Sequence, residues 1–571
     1  MDVSEYVYRF GLADYYVIVA YLLMLVSIGF VLKKLCGGVS DYFVGGNKIP
    51  WWLAGAGCFM SSFSAWTFTG AAGFAYQHGI LIILLFYFNV IAYLFAGKFI
   101  AAKCRQTRRV TSAQVIFDRF GRLGEQFFLW IQVPSMLFGG AIWMMGLATF
   151  LSIAFGIPMD VTIIVSGVVI LIYSTISGSW AVMTSAFLQS LILMALCVVV
   201  AVLTLTQTGG ISGLCAKITP DKLVLFKGEQ TWVWVLAYFS QIFMIFNSAV
   251  GSTRFLSVRN GQNARKAAYF AAILFLIGPV VWFIPPIAAS HFFPNLGELL
   301  PGLKHPQDGA YVMMGLKLLP AGLAGLMIMV IFAATLSSMD AAINQNAGII
   351  TLNIYKELFR PNAGEKELFI ASRVSNVVCG VGVTLGALFL ARQSQFALFD
   401  LMLILSSVIG LPLAIPFILM YWVKNTPRWS AVVSILCGAG YSYLAVHNEW
   451  TLGVRVFGIL AAGGGSFFLS RLFWKYTGQS AKETIAAFYE TMNRPVDTER
   501  EAVGSEDVRQ LKLVGSMAMI IAAGLFVVVL FPNSLKSRGI IAATAASIFV
   551  IGWLMNRTGR RSLEKVQQKD S

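Results

Sequence analysis

The chain has 571 residues, of which 58% are hydrophobic and only 12% charged, whereas ordinary soluble domains carry about 25% charged and about 45–50% apolar residues. That balance excludes a soluble globular protein. The formal net charge of +16 does not indicate a nucleic-acid partner, because the basic residues lie between apolar blocks and not on one face among stacking aromatics.

The apolar residues come in about fifteen blocks long enough to cross a bilayer, for which roughly 20 helical residues suffice. In chain order the predicted spans are 13–33, 50–74, 79–101, 126–155, 159–177, 180–207, 231–253, 267–290, 314–353, 368–391, 397–423, 428–446, 452–474, 513–531 and 538–556. If these alternate, Lys33 and Lys34, then Lys103 to Arg109, Arg254 to Lys266, Lys356 with Arg360, and Arg557 to Arg561 all fall on one side, as the positive-inside bias requires. The expectation is a multi-pass protein of the inner (plasma) membrane with its N-terminus outside and its C-terminus in the cytoplasm. The lipid bilayer is its main partner, and no obligate protein partner is evident.

The first span follows Asp2, Glu5, Arg9 and Asp14 and not a basic segment, and it is read as an uncleaved helix. The seven cysteines are scattered without metal or redox spacing and are read as small packing residues. The four histidines fall near predicted outer ends of spans, too far apart for a local metal motif. The outer segment from His291 to Ala310, with Pro294, Pro301 and Pro306, is a connector or a lid. The inner segment 476–512 is the main polar region; within it Ile485, Phe488, Tyr489 and Met492 carry helical spacing, predicting a helix against the cytoplasmic face. No GxxxxGK(S/T) phosphate loop is present, which argues against an ATP-driven pump.

Two spans carry chemistry. The middle of the second, Gly55 to Gly70, is crowded with glycine and with the hydroxyls of Ser61, Ser62, Ser64, Thr67 and Thr69. Hydroxyls away from water need partners, and a helix can unwind at mid-membrane only where loosened carbonyls line a cavity or hold an ion. Met60 and Phe63 are where such carbonyls are expected, although small residues can also simply let helices approach. In the ninth span Ala334, Ser337 and Ser338 stand at i, i+3 and i+4, on one helical face. They either offer oxygens to a hard monovalent cation or bond back to carbonyls four residues earlier.

The Trp51-Trp52 start with Ser64-Ala65 and Gly70, the Ala334-x-x-Ser337-Ser338 run followed by Asn353 to Lys356, the Tyr173 to Gln189 segment and the Phe488 to Glu499 stretch resemble the sodium:solute symporter family, including its sodium/galactose and sodium/proline branches. The resemblance implies an all-α, leucine-transporter-type fold with an inverted five-plus-five helix repeat, one extra N-terminal helix and about four extra C-terminal helices. The expected division is 1–49 for the extra helix and inner loop, 50–207 and 231–424 for the repeats, and 428–571 for the C-terminal helices, with 476–512 cytoplasmic. The implied sodium site is the carbonyls of Met60, Phe63 and Ala334 with the hydroxyls of Ser337 and Ser338, Na+ being the co-transported ion and a small molecule the cargo.

Departures from the family pattern matter as much. Ser185 stands where members with a second sodium site carry Asp, and Asp340 stands where they carry a hydroxyl, so the two are expected to keep a second cation or proton site with partners exchanged. An intramembrane Asp is functional by default, although it can also pair with a basic residue. The hexose-binding Gln and Glu positions hold Thr67 and Phe86, the Asn of span seven becomes Gln241, and the aromatic that stacks on sugar becomes Met244. Ser62, Trp66, Asn89, Tyr238, Asn247 and Asp400 are further pocket candidates. The function expected is sodium-coupled import of a small polar solute, with sugars or sugar derivatives ahead of carboxylates and amino acids. The alternatives are a proton-coupled symporter and a non-transporting sensor of the same fold. An enzyme is not expected, since Asp340 and Asp400 stand alone where acid–base chemistry wants clusters.

Overall fold

The computed structural model describes residues 10–33, 49–60, 63–109, 111–176, 179–393, 395–496 and 506–570, which form helices, turns and two isolated bridge pairs. In chain order these are α1 (Leu12–Lys33), α2 (Trp51–Met60), α3 (Ala65–Phe68), α4 (Gly70–His78), α5 (Leu81–Gln106), α6 (Ser112–Phe155), α7 (Met159–Ile176), α8 (Ser179–Thr208) and α9 (Gly210–Lys217). There follow α10 (Trp232–Asn247), α11 (Gly261–Phe292), α12 (Ala310–Leu318), α13 (Leu323–Phe359), α14 (Glu365–Gln393) and α15 (Leu398–Leu419). The last five are α16 (Ser430–His447), α17 (Leu452–Leu469), α18 (Gln479–Asn493), α19 (Glu506–Val527) and α20 (Leu535–Asp570).

Among the described residues, eleven helices are long and apolar enough to cross a membrane. The remaining predicted spans correspond to the shorter apolar helices Leu12–Met24, Trp51–Met60, Met159–Ser174 and Trp232–Asn247. Burial separates their roles: the apolar window of α13 is 94% buried and that of α14 only 28%, so α13 runs through the centre while α14 turns an apolar face outward. Around α13 stand α1, α6, α8 and α14; α2 lies between α8 and α11. Gly55 allows the α2–α11 approach, since a Cβ there would come within 2.6 Å of the Ala267 carbonyl oxygen. The hairpins α16–α17 and α19–α20 complete the bundle.

One predicted span divides in two. Residues 314–353 carry more length than one crossing needs, and α12 ends at Leu318 while α13 begins at Leu323. Between them Pro320 cannot continue a helix, and Gly322 takes φ 92°, which suits glycine. Asp14 of α1, fully buried, then accepts hydrogen bonds from the amides of Gly322 at 2.7 Å and Gly325 at 2.9 Å, capping the new helix end. The cysteine reading also needs correction: Cys58, Cys104, Cys197 and Cys379 are buried, but Cys215 and Cys437 are exposed.

The helix predicted within 476–512 buries the face that its periodicity marked. In α18 Ile485, Phe488, Tyr489 and Met492 are buried, against the end of α5 and the start of α6. The Tyr489 hydroxyl shares its proton between the carbonyls of Met420 (2.8 Å) and Val423 (3.0 Å) and accepts from Arg119 Nε at 3.0 Å.

Candidate functional site

The second predicted span is broken at its middle. Helix α2 stops at Met60, and α3 restarts at Ala65 behind Ser64, whose backbone is extended and whose hydroxyl accepts from the Trp66 amide. Ser61 and Ser62 lie outside the described residues. A second irregularity at Thr69 separates α3 from α4.

Helix α13 meets this break through two side chains, Ser338 and Thr335. The Ser338 hydroxyl, half-buried, donates to the Phe63 carbonyl at 2.9 Å and to the Ala334 carbonyl at 3.1 Å. Thr335 accepts from the Ala65 amide at 2.7 Å while donating to the Ile331 carbonyl at 2.8 Å. Ser337 turns away from α2 and donates to Gln189 Oε1 of α8 at 3.0 Å. The Met60 carbonyl accepts from the Phe63 amide at 2.9 Å, which leaves it a second lone pair. Phe63, Ala334 and Ser338 thus converge directly, with Met60 in the same turn, whereas Ser337 is engaged with a neighbour. Ser338 makes both contacts that its spacing allowed, the back-bond to Ala334 and the bridge to the broken helix.

Neutral oxygens of this kind suit a hard monovalent ion. The proton of Ser338 bridges the two carbonyls, and a cation seated among the same three oxygens would take over that bridging role. Among the described residues no group of three or more His, Cys, Asp or Glu could hold a metal ion.

Asp340, two residues further along α13, is fully buried and accepts from Asn344 Nδ2 at 2.7 Å, and Asn344 Oδ1 accepts from Asn376 Nδ2 of α14 at 3.0 Å. Ser185 is buried and hydrogen-bonded to Tyr173, which in turn lies close enough to Asp340 to interact electrostatically. The exchanged pair therefore faces one tyrosine.

The solute candidates fall into two groups. Trp66 donates from Nε1 to the Leu398 carbonyl at 2.9 Å and stacks on Phe399 at 5.9 Å. Tyr238 stacks on the same ring at 6.3 Å, Gln241 Nε2 reaches the Leu403 carbonyl at 3.4 Å, and Asp400 is next in sequence. These four gather at the start of α15. Thr67 is buried with its hydroxyl oxygen unpartnered, as is Gln241 Oε1. By contrast, Phe86 packs edge-on against Phe283 at 4.7 Å, and Asn89 donates to the carbonyl of Phe86 on its own helix at 3.0 Å. Met244 is half-buried against the core, and Asn247 donates to Phe243 of its own helix.

Several participants were not named from the sequence as site residues. Thr335 and Gln189 sit inside motifs already noticed but carry no local mark of a contact to a distant helix. Asp308 comes from the His291 to Ala310 connector: its 3-10 turn, Pro306–Gly309, packs on α4 and lines a cavity there.

A multi-pass helical bundle whose buried centre is a broken helix clasped by hydroxyls is the construction of a membrane transporter. The profile of the sodium:solute symporter family matches residues 42–438, and the chain belongs to that family. It is therefore a transporter and not an enzyme, of a family that couples the movement of a small solute across a bilayer to Na+. It is 24% identical over 476 residues to the sodium/glucose cotransporter of Vibrio parahaemolyticus, covering 75% of this chain and 84% of that one. It is 23% identical over 442 residues to a sodium/sialic acid symporter of Proteus mirabilis (strain HI4320), covering 75% and 88%. The solved structure of a substrate-bound, outward-open Na+-coupled sialic acid symporter aligns with a TM-score of 0.71 at 21% identity, covering 82% of this chain and 99% of that one. The fold is thus of the leucine-transporter type.

Proposed function

We propose that the protein imports a small polar organic solute together with Na+ by alternating access, the ion being held by the carbonyls of Met60, Phe63 and Ala334 and the hydroxyls of Ser337 and Ser338. The observation that carries this reading is the Ser338 hydroxyl, which joins the Phe63 carbonyl of the broken helix to α13. Na+ among those oxygens ties the two elements together in the outward-facing state; solute then binds near Trp66, and rocking of the bundle separates Ser337 and Ser338 from the break and frees the ion inward. Residues 50–207 and 231–424 form the two repeats, with the N-terminus outside and the C-terminus in the cytoplasm. Moving one charge through 100 mV supplies about 2.3 kcal/mol.

Ser185 and Asp340 form a second cation site, a reading supported by Tyr173, which Ser185 hydrogen-bonds and which the charge of Asp340 reaches. Burial of the Asp340 carboxyl among amides and a phenol also suits a proton, so proton coupling is the second reading. If Asp340→Asn left both ion stoichiometry and the pH dependence of uptake unchanged, the second site would be abandoned.

The relatives named for glucose and sialic acid put sugars and sugar derivatives first among solutes to try. The test is uptake by proteoliposomes over a panel of sugars, sugar acids, amino acids, amines and short carboxylates, under an inward Na+ gradient, with potassium substituted, and under a proton gradient alone. Accumulation is expected only with Na+. Accumulation driven by the proton gradient alone selects the second reading, and indifference to both gradients refutes each.

A further inference from the structure

At the end of the bundle that the charge pattern assigns to the outside, α4, the approach to α10, the Pro306–Gly309 turn and the start of α15 enclose a cavity of about 330 Å³. That is near the lower end of the range for small-molecule sites, about 300 to 1,000 Å³. Three carboxylates line it, Asp308, Asp400 and Glu229, and among the described residues no lysine or arginine does.

Asp308 is 2% exposed, and its Oδ1 has no hydrogen-bond partner. A buried acid with an idle oxygen is costly, and the neighbouring helix is shaped to admit it: a Cβ on Gly73 would collide with that same oxygen. Asp400 and Glu229 stand exposed at the rim.

The rest of the wall carries Gln77, His78 and Gln230 and three aromatic rings, Phe74, Trp234 and Phe399. Phe74 stacks on Phe399 at 4.2 Å and faces Trp234 at 6.2 Å with only 9° between the ring planes. Beyond them, Trp66 lies within 14° of the Phe399 plane, continuing the series toward the helix break. Ring faces are negative, and a cation above them is attracted most strongly where water is excluded.

Carboxylates and ring faces together select one ligand charge. We propose that this cavity is the outer recognition site for an organic cation, and that the solute carries an ammonium group which Asp308, Asp400 and Glu229 draw in and the Phe74, Trp234 and Phe399 rings cover. An anionic solute would meet three like charges here, and a neutral polyol would leave the carboxylates without a counter-charge. The identification of the solute rests on the symporter reading above; the binding site does not.

The test uses the full chain in lipid nanodiscs and follows its intrinsic tryptophan fluorescence during titration, with Trp234→Phe to identify the part of the signal that arises at the cavity. The probes are choline, its uncharged isostere 3,3-dimethylbutan-1-ol, and a sugar acid, each in sodium and in potassium chloride. Choline is expected to saturate while the isostere and the acid do not, and Asp400→Asn and Glu229→Gln are each expected to weaken it roughly tenfold. Both variants alter exposed rim positions, so they bear on the proposal even if Asp308→Asn fails to fold. Equal binding of the isostere, preference for the acid, or unchanged choline affinity in both rim variants overturns the proposal. Choline binding that is identical in sodium and potassium leaves the cation site standing and counts against sodium coupling. Sodium-driven uptake of a neutral or anionic solute with no choline binding does the reverse.

Discussion

Replacing Ser338 by alanine removes the hydroxyl that joins a carbonyl of the broken helix to a carbonyl of α13. It deletes the bonds to the Phe63 carbonyl at 2.9 Å and the Ala334 carbonyl at 3.1 Å. Because Ser338 is only half-buried, water can reach the released carbonyls, and the loss of fold stability should be small, about 1 kcal/mol. The ion loses far more, since one of five proposed oxygen ligands disappears from a site where none carries a formal charge. A rise in the half-saturating sodium concentration of at least about tenfold follows, equivalent to about 1.4 kcal/mol. Equilibrium binding of radioactive sodium to purified protein measures this without knowledge of the solute, and a melting curve in detergent checks the fold. Thr335→Ala makes the control with the opposite balance: it strands the buried Ala65 amide, bonded at 2.7 Å, at a cost of about 1–3 kcal/mol, while leaving the proposed ligand oxygens in place. Sodium affinity within twofold of the original in a well-folded Ser338→Ala protein would refute the reasoning.

Further outcomes follow from particular side chains. Asp14→Ala uncaps α13 by stranding the amides of Gly322 and Gly325, and should cost about 1–3 kcal/mol, seen as a lower melting temperature with sodium affinity preserved in the folded fraction. Tyr489→Phe leaves the fully buried Arg119 Nε without its 3.0 Å acceptor; a loss of about 2 kcal/mol and faster proteolysis at the 476–512 segment are expected. Burial, and after it the facing Asp400, push the Asp308 carboxyl up to about 7. Asp308 is thus neutral below that pH and charged above it, so choline binding should strengthen as the pH rises, its ionised share growing about tenfold between about pH 6 and about pH 8. Asp400 and Glu229 are the other acids of the cavity, and loss of a proton from His78 of α4 or His305 of the same turn acts in the same direction. A flat or falling profile would contradict this.

The membrane class, the number of apolar helices, the weak point between Met60 and Ala65 and the buried face of α18 were legible in the sequence. Each follows from rules acting over one or two helical turns: apolar length, crowding by glycine and serine, and spacing along a face. The Ala334, Ser337 and Ser338 face was legible in the same way, but its partners were not. That Ser337 turns to Gln189 while Ser338 reaches Phe63, that Thr335 holds the Ala65 amide, and that Asp14 caps the helix restarting after Pro320 depend on how helices far apart in sequence stack. Helices apolar on every side carry no periodic signal of which face meets which neighbour. The same holds for Asp308, an ordinary acid in a proline-rich connector until the fold brings it against Gly73 beneath a wall of aromatic rings: chain order decides what each helix can offer, and packing alone decides which offers meet.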